Sequence, residues 1–145
     1  MKKILSETQI KSLIEDAIDA RSYSYSPYSN FQVGAALLTK SGKVYKGCNI
    51  ENAAYTPTNC AERTAVFKAV SEGETEFEAI AIIGGAKGVD LNTSVVSGPC
   101  GVCRQVLQEF ASDIIIIGAK SLDNFYVSSL NELLPLPFGP KNLSK

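Results

Sequence analysis

The spacing of apolar residues along the chain predicts four helices. The first runs from about Glu7 to Ser22, where apolar positions recur every three or four residues. Ser6 and Gln9 have the spacing of a capping box, which marks the start of that helix. The other three are a helix from Cys60 to about Gly73, one that opens at Pro99-Cys100, and a short one from Ser129 to Leu134.

Apolar runs bounded by turn residues predict five strands. Phe31 to Thr39 and Lys43 to Asn49 form a hairpin through the Ser41-Gly42 turn. Ala79 to Ile83 is almost purely apolar, as expected for a central strand covered on both faces. We expect Gly84 to Gly88 to be a flexible connection after it. The two remaining strands are Ile114 to Ile117 and Phe125 to Ser128.

The order of these elements, αββαβαββα, predicts an α/β fold. We expect a three-layer α-β-α sandwich around a mixed five-stranded sheet. The link between the fourth and fifth strands is too short for a parallel crossover, which needs a dozen or more residues, so these strands should be antiparallel. The length of 145 residues fits a single domain over residues 1–145.

The composition narrows the class of protein. The net charge is −1 without a basic stripe, which argues against a nucleic-acid partner. There is no apolar run long enough for a membrane span. Polar residues from Ser6 to Gln9 follow too soon for the apolar region of a signal peptide. We therefore expect a cytoplasmic protein, whose cysteines stay reduced.

Two short segments carry the candidate chemistry. Cys60 and the pair Cys100 and Cys103 offer three thiols, and Glu62 follows the first of them by two residues. Such a cluster suits one Zn²⁺, with a fourth position open for water. The sequence contains no histidine, which excludes a histidine zinc ligand and a histidine general base. We therefore predict that Glu62 handles the protons of that water, with a pKa tuned by its surroundings.

Two arginines stand beside the predicted ligands. Three thiolates on one dication leave a net negative site, which weakens the acidification of a bound water. Arg63 and Arg104 are predicted to offset this excess through hydrogen bonds to sulfur, as outer partners of the site.

A structural zinc site is the non-enzymatic alternative. It would be a closed four-cysteine site with Cys48 as the fourth ligand, and it gives no reason for Glu62 beside the metal. Cys48 lies in an apolar strand setting, where a small buried cysteine is common.

Several motifs together resemble one enzyme family. The Cys60-Ala61-Glu62 and Pro99-Cys100-x-x-Cys103 segments resemble the zinc-dependent nucleoside and nucleobase deaminases. The wider set looks like the short, homotetrameric cytidine deaminases of the cytidine and deoxycytidylate deaminase superfamily. It comprises the stretches 27–36, 47–55, 60–65, 99–105 and 132–135.

The resemblance implies a reaction and a set of roles. The activity would be hydrolytic deamination of cytidine and deoxycytidine in pyrimidine salvage, with zinc held by the three cysteines and protons moved by Glu62. Asn49 and Glu51 would hold the ribose hydroxyls, and Phe31 would stack on the pyrimidine. Neighbouring subunits of a homotetramer would complete each pocket, and the residues matching that role are Ala53, Tyr55 and Phe138.

One alternative substrate and one difference from the family pattern are also to be considered. A deaminase of a cytosine nucleoside antibiotic, such as blasticidin S, shares the core motifs. Gly98 stands where the family often has Ser or Thr before the proline. The stretch from Gly84 to Ser97 looks freely variable, and we assign it no role.

Overall fold

The computed structural model describes residues 4–88, 90 and 96–144. Within these residues, four α-helices and five strands follow one another in the predicted order, and a 3₁₀ helix comes after them. They are α1 (Glu7–Arg21), β1 (Phe31–Thr39), β2 (Val44–Cys48), α2 (Ala61–Ser71), β3 (Phe77–Ala86), α3 (Gly101–Phe110), β4 (Ile115–Ala119), β5 (Phe125–Ser129), α4 (Leu130–Leu133) and the 3₁₀ helix Pro140–Leu143. The capping box at the start of α1 is confirmed, with both Ser6 and Gln9 engaged.

The strands form one mixed sheet in the order β2-β1-β3-β4-β5. β1 is antiparallel to both β2 and β3, and β4 is antiparallel to β5. Only β3 and β4 run parallel among the described strands, and α3 lies in the connection between them. The predicted α/β sandwich and its antiparallel fifth strand are therefore confirmed.

Apolar side chains cover both faces of the sheet. One core forms where α1 packs on the sheet through side chains such as Leu13 and Ile14. The other forms under α2 and α3 and includes Val66, Leu107 and the central strand residue Ile80. These two cores make the three layers, and they fix α2 and α3 side by side on one face.

The third strand is longer than predicted. Gly84, Gly85 and Ala86 belong to β3, where they pair with Val33, Gln32 and Phe31. The prediction of a flexible connection is therefore wrong for these three residues. A glycine doublet is typical of a loop, but here Gly84 is needed because an added Cβ would lie 2.9 Å from the Phe31 ring. Much of the stretch beyond it, Val89 and residues 91–95, lies outside the described residues.

The proline-rich tail contains one element that we did not predict. Pro140 occupies the first turn of the 3₁₀ helix, a position where its missing N–H costs nothing. Within the described part of the chain, no helix has the length and apolar character needed to cross a membrane.

Candidate metal centre and active site

Two helix N-termini bring the predicted ligands together. Cys60 is the N-cap residue of α2 and Cys100 the N-cap residue of α3, and both have extended backbone conformations. Cys103 lies one turn into α3 and is fully buried. Free N–H groups and the helix dipole at these ends favour thiolate over thiol.

The three sulfur atoms fit a zinc ion. All three lie within 4.8 Å of one another, and the Sγ atoms of Cys60 and Cys100 are 3.7 Å apart. Four-coordinate zinc with zinc–sulfur bonds of about 2.3 Å places neighbouring sulfurs roughly 3.8 Å apart. The donor set is soft and supplies three ligands, which is the pattern of a catalytic zinc site.

The thiols of the cluster differ in acidity. A hydrogen bond from Cys103 is the largest cause that lowers the pKa of Cys60 to about 5, and Arg63 adds to it. The same hydrogen bond and burial raise the pKa of Cys103. One thiolate is therefore stabilised by its neighbours, as expected where a cation is to be received. Metal binding deprotonates the remaining thiols.

Glu62 is a buried carboxyl in the first turn of α2. Its relative exposure is 4%. Burial raises the pKa of Glu62 to about 7, against the opposing effects of its own backbone N–H and the Cys103 thiol. A carboxyl with this pKa can both accept and release a proton near neutral pH.

The two arginines have different contacts. Arg63 donates from Nη2 to the Cys60 sulfur at 3.5 Å and to the Thr58 carbonyl at 3.4 Å. Arg104 donates from Nε to the Pro99 carbonyl at 2.8 Å and from Nη1 to the Leu133 carbonyl at 2.6 Å. The predicted hydrogen bond to sulfur is thus present for Arg63. It is wrong for Arg104, whose side chain extends from α3 towards backbone carbonyls instead.

A cavity of about 360 Å³ opens onto the cluster, within the usual size range of small-molecule sites. Predicted site residues from four elements meet there, because β1, the loop after β2, α2 and the segment before α3 all border it. The lining includes Phe31, Asn49, Cys60, Glu62 and Cys100.

Asn49 is held rigidly at the edge of this cavity. Its Oδ1 accepts hydrogen bonds from the Val33 N–H at 2.9 Å and the Ser24 hydroxyl at 2.5 Å. Its Nδ2 donates to the Phe31 carbonyl at 2.8 Å. An amide NH₂ carries two donors, so one N–H of Asn49 is left for a ligand.

Glu51 lies in a neighbouring depression, lined also by Tyr28, Ser29, Tyr55 and Thr58. Its Oε1 accepts from the backbone N–H groups of Tyr28 and Ser29, and its Oε2 accepts from the Ser29 hydroxyl. The Ser29 hydroxyl lowers the pKa of Glu51. Thr58 borders both this depression and the cavity at the cluster.

The three residues predicted to serve another subunit are not among those that line the cavity at the cluster, although Tyr55 borders the neighbouring depression. Ala53 is exposed in the loop before α2. Tyr55 is 71% exposed and meets Tyr28 edge to face. Phe138 is 58% exposed in the tail, where its carbonyl accepts from Gln105. Their role across a subunit boundary stays a prediction.

Comparison with known proteins decides the family. The profile described as "Cytidine and deoxycytidylate deaminase zinc-binding region" matches residues 7–119. The chain belongs to this family. A cytidine deaminase from Sporosarcina psychrophila is 43% identical over 136 residues, which cover 93% of this chain and 95% of the relative. One from Halalkalibacterium halodurans is 45% identical over 133 residues, covering 91% and 96%.

Solved structures agree with this assignment. The crystal structure of a cytidine deaminase from Burkholderia pseudomallei is 45% identical and has a TM-score of 0.79, covering 88% of this chain and 97% of that one. A blasticidin-S deaminase from Bacillus cereus is more distant, at 29% identity over 95% of this chain. The cytidine deaminases are thus favoured over the antibiotic-nucleoside alternative.

The four-cysteine alternative does not fit this member of the family. Among the described residues, the group that could hold a metal contains Cys60, Cys100 and Cys103. Cys48 instead borders a separate cavity together with Asp19 and Lys68. Burial raises the pKa of its thiol, which suits an inert, packed cysteine.

Some of the residues that line the cavity were given no role in the sequence analysis, and two of them lie beside a predicted ligand. Ser97 and Gly98 line the cavity, although the stretch up to Ser97 was given no role and Gly98 was seen only as a departure from the family pattern. A signal was present, since both residues directly precede Pro99-Cys100. A chain segment that leads into a metal ligand must pass close to the metal.

Proposed function

We propose that the protein hydrolyses cytidine and deoxycytidine to uridine and deoxyuridine, with release of ammonia. The observation that carries this proposal is the buried Glu62 carboxyl, which shares one cavity with the sulfur cluster. A structural zinc site has no use for a buried carboxyl with a pKa near 7.

Zinc would be held by Cys60, Cys100 and Cys103. It would lower the pKa of a water molecule, so that this water can act as the nucleophile at neutral pH. Glu62 accepts the proton that the water gives up and passes it to N3 of the cytosine ring as the water attacks C4. Glu62 then transfers the second proton of the water to the amino group, which leaves as ammonia. Burial raises the pKa of the Glu62 carboxyl from its ordinary value towards neutral pH, which favours this relay.

The cavity wall fits a flat, polar base. The Phe31 ring borders the space and is 41% exposed, so it offers a surface for stacking. Asn49 donates its remaining N–H to a ribose hydroxyl. Glu51 has three of about four lone-pair positions occupied and accepts a further hydrogen bond from the sugar.

We place Ala53, Tyr55 and Phe138 at the pocket of a neighbouring subunit. All three are exposed in this chain, and two carry large aromatic rings, which are common at interfaces. The assembly we propose is a homotetramer in the cytoplasm, with one zinc ion per subunit. Sedimentation equilibrium tests it, since a monomer at assay concentration would rule out shared pockets.

The proposed reaction is tested with both nucleosides on the zinc-loaded protein. Loss of the cytosine absorbance with appearance of the uracil product is expected for cytidine and for deoxycytidine. The matched controls are Cys60→Ser, expected to lose zinc and turnover, and Cys48→Ser, expected to retain both. Turnover of neither nucleoside by zinc-replete protein would refute the proposal.

A further inference from the structure

Ser97 and Gly98 line one wall of the candidate cavity, and the segment Ser97-Gly98-Pro99 runs directly into the predicted metal ligand Cys100. It has no regular structure of its own. Its position therefore depends on neighbouring elements. Any displacement of this segment changes both the cavity and the approach to the sulfur cluster.

Two polar contacts hold the ends of the segment. The Ser97 N–H donates to the Ala119 carbonyl of β4 at 3.4 Å, which is long for such a bond. Arg104 donates to the Pro99 carbonyl at 2.8 Å. Neither contact reaches Gly98, the middle residue.

The ring of Tyr126 fills the space beside Gly98. Tyr126 lies on β5, directly opposite Gly118 of β4. A Cβ added at Gly118 would overlap the Tyr126 ring at Cε1 and the Ser97 carbonyl, and a Cβ added at Gly98 would overlap the Tyr126 hydroxyl. The ring is thus enclosed between two glycines, one on the sheet and one on the cavity wall.

We propose that Tyr126 is a positioning residue for the active site, whose hydroxyl sets the place of Gly98 in the cavity wall. Gly98 and Tyr126 form a matched pair, in which the missing side chain of one makes room for the hydroxyl of the other. This inference rests on the proposed deaminase function. It adds a specificity and rate determinant that lies on β5, outside every motif singled out in the sequence.

The surroundings of Gly98 allow the effect of the Tyr126 hydroxyl to be tested by itself. The backbone of Gly98 is outside the left-handed region, so an alanine is not strained there by its φ angle. After the Tyr126 hydroxyl, the next atom that an added Cβ would meet is Cζ of the same ring, at 3.6 Å, which is ordinary contact. Removing the hydroxyl alone therefore makes room for the methyl group.

The test is a double-mutant cycle with Gly98→Ala and Tyr126→Phe, measured as kcat and KM for cytidine on zinc-replete protein. The added methyl group displaces the cavity wall, and misplacement of a site by about 1 Å can cost about 100-fold, so Gly98→Ala should lower kcat/KM by about tenfold or more. Tyr126→Phe removes one contact and adds no clash, so it should lower kcat/KM by only about threefold. The double variant should return to the level of Tyr126→Phe. Zinc content per chain should stay the same in all four proteins.

Gly118→Ala is the matched control. Its added Cβ would meet the Ser97 carbonyl and a ring carbon, which Tyr126→Phe does not remove. This variant should be impaired equally in both backgrounds. If Gly98→Ala alone does not fold, recovery of a folded, active protein in the Tyr126→Phe background demonstrates the same coupling.

Three outcomes would overturn the inference. Gly98→Ala could cost nothing, it could cost the same factor in both backgrounds, or the cycle could change only the melting temperature and leave kcat/KM unmoved. In each case the wild type would still turn over cytidine. An inactive wild type would instead refute the proposed function, and this inference with it.

Discussion

The side-chain amide of Asn49 holds the backbone of Phe31, with Nδ2 donating to the Phe31 carbonyl at 2.8 Å. Oδ1 of the same amide accepts a hydrogen bond from the N–H of Val33, two residues further along β1. Asn49 therefore fixes the start of β1, where the aromatic wall of the cavity begins. Asn49 is therefore expected both to bind the ribose and to hold in place Phe31, the residue expected to stack on the base.

This dual role predicts that Asn49→Asp impairs both stability and turnover. Aspartate keeps the acceptor but replaces the Nδ2 donor with oxygen, which would face the Phe31 carbonyl. Leaving a buried acceptor unsatisfied costs about 1–3 kcal/mol, and we expect the melting temperature to fall and KM for cytidine to rise. Thermal unfolding and steady-state kinetics measure the two effects. An unchanged KM with a lowered melting temperature would limit Asn49 to a structural role.

Gly84→Ala should raise KM without loss of zinc. Its methyl group would lie 2.9 Å from the Phe31 ring and 3.1 Å from the Ser97 hydroxyl, so these two cavity-lining side chains must shift. We expect a severalfold rise, corresponding to about 1 kcal/mol of lost binding. Gly101→Ala is the control, since nothing lies within 4 Å of the added atom. A KM equal to that of the control would show that the base does not contact Phe31.

Arg63→Gln and Arg104→Gln should have different effects, because only Arg63 contacts a ligand sulfur. In cobalt-substituted protein, Arg63→Gln should shift the thiolate-to-cobalt absorption bands and lower kcat. Arg104→Gln should leave the bands in place and lower the melting temperature, since its two carbonyl partners are released. Equal band shifts in both variants would contradict this assignment.

The contacts of Glu51 predict a pH-dependent stability. Hydrogen bonds from Ser29 and Tyr28 hold the pKa of Glu51 below its usual value. Its stabilising effect is therefore present above the unfolded-state pKa of about 4.3 and is lost as the pH falls through the lower folded-state pKa. The melting temperature of wild type should exceed that of Glu51→Gln at pH 7, and the two should converge below about pH 4. A gap that persists in acid would show that charge is not responsible.

The cluster of three cysteines was predictable because its signal is local. Cys100 and Cys103 lie one helical turn apart, and both cysteine-bearing segments open helices, which the sequence pattern marks. Glu62 follows from Cys60 by the same local geometry. The five strands were predictable from apolar runs, and the short connections predicted that the first two strands, and the last two, are antiparallel pairs; the order of the strands across the sheet was not predicted.

What escaped prediction depends on contacts between distant segments. Gly84 resembles a loop glycine until β1 places Phe31 beside it. Tyr126 carries no local signal, since its importance comes from Gly98 and Gly118 on two other segments. Arg104 follows a ligand in the sequence, yet the turn of α3 directs it to the Pro99 and Leu133 carbonyls.

The catalytic role of Glu62 is tested by measuring the turnover of cytidine by Glu62→Gln at a zinc content equal to that of the wild type. Glutamine preserves the shape of the side chain but cannot carry the proton. Loss of general acid–base catalysis should lower kcat by about 10²–10⁴-fold or more, with one zinc ion per chain retained. A variant that binds zinc and deaminates cytidine at the wild-type rate would contradict the central role assigned to Glu62.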